Sequence, residues 1–111
     1  MKKIYMAGSG GMLGLAFYKE FNSDYLVECS DIDVNEDWLS KLDFRDYDSY
    51  LKNVSECKPD WLFHLGAYTD LEYCELNEED TYQTNTKSVE NAVKISNLLG
   101  IPLLYISTAG I

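Results

Sequence analysis

A glycine-rich turn near the N-terminus constrains this chain more than any other feature of its sequence. Residues 8–14 read Gly-Ser-Gly-Gly-Met-Leu-Gly and directly follow an apolar run of strand length, residues 4–7. The pattern after the turn is helical, because Leu13, Phe17 and Phe21 lie four residues apart on one face. Four glycines weaken the start of a helix, so their presence between a strand and a helix indicates that the backbone must turn tightly and be approached closely.

Each glycine at the spacing 8, 11 and 14 has a physical role. Gly8 lets the chain leave the strand in a tight turn, and Gly14 lets the helix pack closely on a sheet. Gly11 lets backbone N–H groups at the helix N-terminus approach a pyrophosphate, where the helix dipole favours negative charge. The sequence therefore predicts that this turn binds a dinucleotide cofactor through Gly8, Gly11, Met12, Leu13 and Gly14.

The remaining chain alternates apolar, strand-length runs with helical patterns. We predict strands over residues 4–7, 25–29, 41–44, 61–65 and 103–106, and helices over 11–21, 47–57 and 77–99. The buried stripe of the last helix is predicted at Tyr82, Val89, Ala92, Val93 and Ser96. Apolar strands that alternate with helices indicate a parallel sheet covered on both faces. The predicted fold is a single doubly wound α/β domain of the Rossmann type over residues 1–111.

Charge and composition exclude several classes of partner. The chain has 9 Lys and Arg against 19 Asp and Glu, a net charge of −10, which argues against nucleic-acid binding. The first 19 residues nevertheless contain only lysines as charged side chains, so the glycine-rich turn can receive an anion. Apolar runs fall far short of the roughly 20 residues that a bilayer span needs, so we expect no membrane segment. Widely spaced Cys29, Cys57 and Cys74 are expected to be free thiols in the cytoplasm, with no metal site.

Two acidic residues follow the second predicted strand, where the ribose of a bound dinucleotide is expected. Asp31 lies 23 residues after Gly8, and Asp33 lies two residues further on. A carboxylate here accepts hydrogen bonds from a ribose 2′-hydroxyl and repels a 2′-phosphate. Since no Arg or Lys occurs between positions 20 and 40, the sequence favours NAD(H) over NADP(H), and Asp31 over Asp33.

With these residues in place, the chain resembles the N-terminal part of the extended short-chain dehydrogenase/reductase superfamily, and within it the dTDP-4-dehydrorhamnose reductase group. The family pattern Gly-x-x-Gly-x-x-Gly is matched at residues 8–14, and its Asp-Ile/Val-x-Asp by Asp-Phe-Arg-Asp at 43–46. Residues 59–67, Pro-Asp-Trp-Leu-Phe-His-Leu-Gly-Ala, match the next family strand. Thr-Asn-Thr at 84–86 and Ile-Ser-Thr at 106–108 match the following helix and the approach to the catalytic Ser/Thr.

The resemblance implies a role for each matched position. Asp43 is expected to contact the adenine with Phe44 beside it, and Gly66, Ala67 and Asn85 are expected to lie against the dinucleotide. Thr108 falls on the catalytic Ser/Thr, which hydrogen-bonds the reacting oxygen. The implied reaction is reduction of the C4 keto group of a nucleotide-linked deoxysugar. His64 has no such role and is expected to be a buried core histidine with satisfied ring nitrogens.

One departure from the family concerns the chemistry. Members carry a Tyr-x-x-x-Lys pair beyond the Ser/Thr, and this chain contains none, so we expect it to bind dinucleotide without turnover. The domain is also expected to be incomplete at its C-terminal end, which would leave the last strand as an apolar edge and favour a homodimer. Two alternatives remain at this point, namely an NAD-retaining sugar-nucleotide 4-epimerase or 4,6-dehydratase, and a non-catalytic dinucleotide-binding regulatory module.

Overall fold

The computed structural model describes residues 2–8, 12–31, 37–65, 79 and 86–105. These residues form five strands and three helices, which follow one another as β1 (Lys3–Ala7), α1 (Met12–Phe21), β2 (Leu26–Asp31), β3 (Leu39–Lys41), α2 (Tyr47–Cys57), β4 (Trp61–His64), α3 (Ser88–Leu99) and β5 (Leu103–Tyr105). Within this part of the chain, no helix is long and apolar enough to cross a membrane.

The five strands form one parallel sheet in the order β3-β2-β1-β4-β5. The order reverses between β1 and β4, where Ala7 is in register with Ser30 on one side and with His64 on the other. In open α/β sheets the crevice at such a reversal, outside the carboxyl ends of the strands, is where ligands bind. The predicted doubly wound, Rossmann-type fold is confirmed.

The two faces of the sheet carry separate apolar layers, because alternate residues of a strand point to opposite faces. Ile4 and Met6 pack with Phe17 of α1 on one face. Tyr5 and Ala7 pack on the other face with side chains of α2 and α3. These four of the five β1 residues are at most 1% exposed, and full burial of Ile4 or Met6 contributes about 1.5–3 kcal/mol. This strand is therefore the centre of the domain.

The bounds of α2 are fixed by a side-chain cap at its start and by a left-handed backbone turn at its end. The Asp46 carboxylate accepts the Asp48 N–H at 3.2 Å and the Ser49 hydroxyl at 3.1 Å, so it caps the first turn. At the other end Lys58 adopts a left-handed conformation with φ of +53°, and its N–H donates to the carbonyl of Val54. The predicted span of residues 47–57 is confirmed.

Other predicted bounds need correction. The strand predicted at residues 41–44 is wrong: β3 is Leu39–Lys41, because Leu39 pairs with Cys29 and Lys41 with Asp31. Similarly, β2 begins one residue later and ends two residues later than predicted. The predicted start of the last helix at Asn77 lies outside the described residues.

The buried face of α3 also differs from the predicted stripe. Val93 was predicted to be buried and is 43% exposed, whereas Ser88 and Asn91 are almost fully buried. Both polar side chains make hydrogen bonds to distant parts of the chain, which compensates the cost of removing them from water.

Strand β5 is an edge of the sheet as far as the chain is described. Leu104 and Tyr105 are each 40% exposed there. The homodimer through this edge remains a prediction.

Candidate functional site

The first part of the site is the turn that leaves β1 at the strand-order reversal. Gly8 has a φ of +80°, a left-handed conformation that an L side chain would strain, and its N–H donates to the carbonyl of Ser30 at 2.8 Å. Helix α1 begins four residues later at Met12, and Leu13 lies in its first turn. Gly14 is buried in that turn, as expected for close packing. A helix N-terminus at this crevice suits an anion.

The opposite wall of the crevice is the end of β4. The N–H of Leu65 donates to the carbonyl of Ala7 at 2.8 Å, and Leu65 is 8% exposed. This hydrogen bond holds β1 and β4 together up to the last residue before the predicted cofactor-contacting pair, Gly66 and Ala67.

Asp31 is the last residue of β2. It follows Ser30, which pairs in register with Ala7 of β1, so Asp31 lies on the strand next to Gly8. Its carbonyl accepts the N–H of Leu42 at 2.9 Å, which fixes its backbone. Lys41 of β3 is in direct register with Asp31 and is exposed. Lys41 lies one residue beyond positions 20–40, the interval without Lys or Arg on which the expected preference for NAD(H) was based.

Asp43 and Arg45 form a tight turn between β3 and α2. The Asp43 carboxylate accepts the Arg45 N–H at 3.1 Å and the guanidinium Nε and Nη2 at 2.9 and 3.1 Å. The side chains of Arg45 and Asp43 are 30% and 42% exposed, respectively. These hydrogen bonds from Arg45 hold the pKa of Asp43 below its ordinary value, so the turn presents an ionised carboxylate. Phe44 between them is 3% exposed.

A buried polar network lies beneath that turn. The Tyr50 hydroxyl is 2.9 Å from His64 Nδ1, and the Ser88 hydroxyl is 3.2 Å from His64 Nε2. The ring of Phe44 meets the imidazole edge-on with centroids 5.5 Å apart. Burial raises the pKa of Tyr50 well above its ordinary value, so its hydroxyl stays protonated. The expected buried histidine with satisfied ring nitrogens is confirmed.

Asn91 is a component of the site region that the sequence analysis missed. Its amide nitrogen donates to the carbonyls of Phe44 and Arg45 at 3.2 and 3.0 Å. No pattern near Asn91 indicates this contact, because its partners lie 47 and 46 residues away in sequence.

Several predicted site residues lie outside the described part of the chain. They are Gly11, Asp33, Gly66, Ala67, Asn85 and Thr108. The side chains of Met12 and Leu13 are likewise not described. Among the site residues that are described, the turn at Gly8, the end of β2 at Asp31 and the turn at Asp43 all lie on the carboxyl side of one sheet.

Comparison with known proteins gives matches over nearly the whole chain. A family model described as the RmlD substrate binding domain matches residues 1–111. The dTDP-4-dehydrorhamnose reductase of Aggregatibacter actinomycetemcomitans is 24% identical over 108 residues, which are 97% of this chain and 35% of that protein.

Solved structures agree with that match. A dTDP-4-dehydrorhamnose reductase from Bacillus anthracis in complex with NADP has a TM-score of 0.80 and 26% identity, covering 96% of this chain and 36% of that one. An L-threonine dehydrogenase from Clostridium difficile has a TM-score of 0.86 at 20% identity, covering 95% and 36% of the two chains, and shows the fold alone. The chain thus spans about a third of the length of these relatives, at 35–36% of each.

Proposed function

Because the chain belongs to the RmlD substrate binding domain family, we propose that it is the dinucleotide-binding part of a nicotinamide-dependent reductase. The reduced group is the C4 keto group of a nucleotide-linked deoxysugar. The observation that carries the proposal is the left-handed Gly8 turn at the reversal of strand order, four residues before the N-terminus of α1. A helix N-terminus at such a reversal suits the binding of an anion by backbone N–H groups.

The residues have separate roles in holding the cofactor. Gly8, Gly11 and the first turn of α1, with Met12, Leu13 and Gly14, bind the pyrophosphate. Asp43 binds the adenine through its carboxylate, which is ionised and whose side chain is 42% exposed. Phe44 contributes through its backbone N–H, because its side chain is 3% exposed. The segments with Gly66, Ala67 and Asn85 complete the site. When bound, the cofactor would supply the hydride to the C4 carbon, and Thr108 would hydrogen-bond the keto oxygen on that carbon.

The cofactor preference is governed by two oppositely charged side chains at the ends of β2 and β3. Asp31 favours NAD(H), since its carboxylate accepts hydrogen bonds from a 2′-hydroxyl and repels a 2′-phosphate. Lys41 in register beside it lowers that repulsion. We propose a preference for NAD(H) that is smaller than Asp31 alone would give. The similar reductase from Bacillus anthracis is in complex with NADP, so NADPH belongs in every titration.

The experiment is a titration of NADH and NADPH into the 111-residue chain, followed by cofactor fluorescence and by calorimetry. Gly8→Ala places a side chain on a left-handed backbone at the proposed site. Gly100→Ala is the matched control, because Gly100 also has a left-handed φ, +66°, with nothing within 4 Å of an added Cβ, and lies at the end of α3. Both variants lose about 1 kcal/mol of stability.

We expect Gly8→Ala to weaken dinucleotide binding at least tenfold and Gly100→Ala to leave it unchanged. Equal affinities of the two variants, or a wild-type chain that binds neither dinucleotide, would contradict the proposal. The chain is expected not to oxidise NADPH in the presence of dTDP-4-dehydrorhamnose, because no tyrosine in it is followed by lysine four residues later. Measurable turnover would show that a different residue donates the proton.

A further inference from the structure

Asn91 connects α3 to the turn between β3 and α2. The residue is 2% exposed, and its one amide nitrogen donates to two consecutive carbonyls, those of Phe44 at 3.2 Å and Arg45 at 3.0 Å. An amide NH₂ has two donor hydrogens, so both carbonyls are served at the same time. This contact joins two segments between which both α2 and β4 lie in sequence.

The turn that Asn91 holds is short and is also fixed from within. The Asp43 carboxylate accepts the Arg45 N–H at 3.1 Å, and the Asp46 N–H donates to the Asp43 carbonyl at 3.1 Å. These bonds set the local shape of the turn. The Asn91 amide holds the turn relative to α3, and Phe44, which is 3% exposed, packs in the core beneath it.

We propose that Asn91 is a positioning residue for adenosine recognition, which acts by holding the carbonyls of Phe44 and Arg45. The inference rests on the proposed function, in which Asp43 and Phe44 bind the adenine. With both carbonyls turned inward to α3, the carboxylate of Asp43 remains on the accessible side of the turn, 42% exposed. Asn91 itself does not touch the cofactor.

The expected size of the effect follows from the two hydrogen bonds. Each buried hydrogen bond contributes a modest net amount, and two together correspond to about a tenfold change in the population of the held turn. The apparent affinity for a ligand falls in proportion to the population of the competent state. Removal of the Asn91 amide should therefore weaken binding of adenine nucleotides by up to about tenfold.

The test compares Asn91→Ala with Ser96→Ala in the 111-residue chain. Ser96 lies in the same helix, is 9% exposed, and its hydroxyl donates to the carbonyl of Ile101 at 2.6 Å. Both variants thus delete side-chain hydrogen bonds from α3 to backbone carbonyls, but only those of Asn91 reach the turn at residues 43–46. Affinities for NADH and for adenosine 5′-monophosphate are measured below the unfolding transition of every variant.

A second variant, Asn91→Asp, separates loss of the donor from loss of volume. The carboxyl group has nearly the size of the amide, but as a carboxylate it cannot donate to either carbonyl, and in its protonated form it donates to one at most. We expect Asn91→Asp and Asn91→Ala to weaken both ligands by about the same factor, and Ser96→Ala to lower the melting temperature while leaving both affinities unchanged.

Each of the other possible affinity results would contradict one specific part of the inference or of the proposed function. Equal affinities for wild type and both Asn91 variants would overturn the positioning role while leaving the proposed function intact. Weaker NADH binding with unchanged binding of adenosine 5′-monophosphate would show that Asn91 acts away from the adenosine, which also overturns the inference. A parallel loss of affinity in Ser96→Ala would reduce the effect to general stability. Absence of any binding by the wild-type chain would contradict the proposed function itself and, with it, the role of Asn91.

Discussion

The hydrogen bond between Tyr50 and His64 gives the most quantitative prediction about the core beneath the site. Both residues are fully buried, and the hydroxyl is 2.9 Å from Nδ1. Tyr50→Phe deletes the hydroxyl and leaves Nδ1 without that partner in a dry environment. A buried polar atom that loses its partner costs about 1–3 kcal/mol, more than the hydrogen bond itself contributes.

This cost corresponds to a large shift in a denaturation curve. With a loss of about 2 kcal/mol and a urea dependence of about 1.5 kcal/mol/M, the midpoint should fall by about 1.3 M. His64→Leu removes the other partner, and the double variant removes both. Each single variant leaves one buried polar group without its hydrogen-bond partner, whereas the double variant removes both groups of this hydrogen bond. The double variant should therefore be more stable, by about 1–2 kcal/mol, than the sum of the two single losses predicts.

The assay is urea unfolding of the four chains, followed by circular dichroism and by tryptophan fluorescence. Tyr47→Phe serves as the matched control in α2, since the Tyr47 ring faces Lys94, with Nζ 6.0 Å from its centroid. Coupling between Tyr47→Phe and His64→Leu should be close to zero. A midpoint shift below about 0.3 M for Tyr50→Phe, or coupling with His64 no larger than the Tyr47 value, would refute this reasoning.

Three further predictions concern the rest of the domain. Lys58→Gly should raise the free energy of unfolding by about 0.5–1 kcal/mol, because Lys58 has a φ of +53°; a lower urea midpoint would contradict this. Burial raises the pKa of Cys57 from 9.0 to about 12 and that of Tyr5 well above its ordinary 10.0. The unfolded chain therefore loses these protons first, so stability should fall as the pH rises above about 9; urea midpoints that stay constant from pH 8 to 10.5 would exclude it. Lys41→Met should lower the affinity for NADPH relative to NADH, and Asp31→Asn should raise it; unchanged ratios in both variants would mean that neither side chain lies near the 2′ position.

Local signals in the sequence predicted the elements whose ends are fixed locally. Helix α2 has an Asp46 cap at one end and Pro59 beyond the other, and its predicted bounds are confirmed. Strand β3 has no such signal, because it is three residues long and largely exposed. Its register is set by pairing with Cys29–Asp31 of β2, and this cannot be read from residues 39–44 alone.

The same distinction applies to the site. The need for glycine at position 8 was visible in the sequence, since a tight turn between a strand and a helix is a local property, and its φ is +80°. The contacts of Asn91 and the register of Lys41 with Asp31 join separate segments, so they became visible only in the folded chain.

Binding of a dinucleotide at the carboxyl edge of the sheet, at the reversal between β1 and β4, is the proposal on which every site assignment depends. Its most direct test is a map of backbone amide chemical shifts in the labelled chain as NADH or NADPH is added. We expect changes at Gly8, Asp31, Arg45 and Leu65, and none at Lys58 or Gly100, which lie beyond the opposite edge of the sheet. Changes centred on Lys58 and Gly100, or no changes at millimolar cofactor, would contradict it.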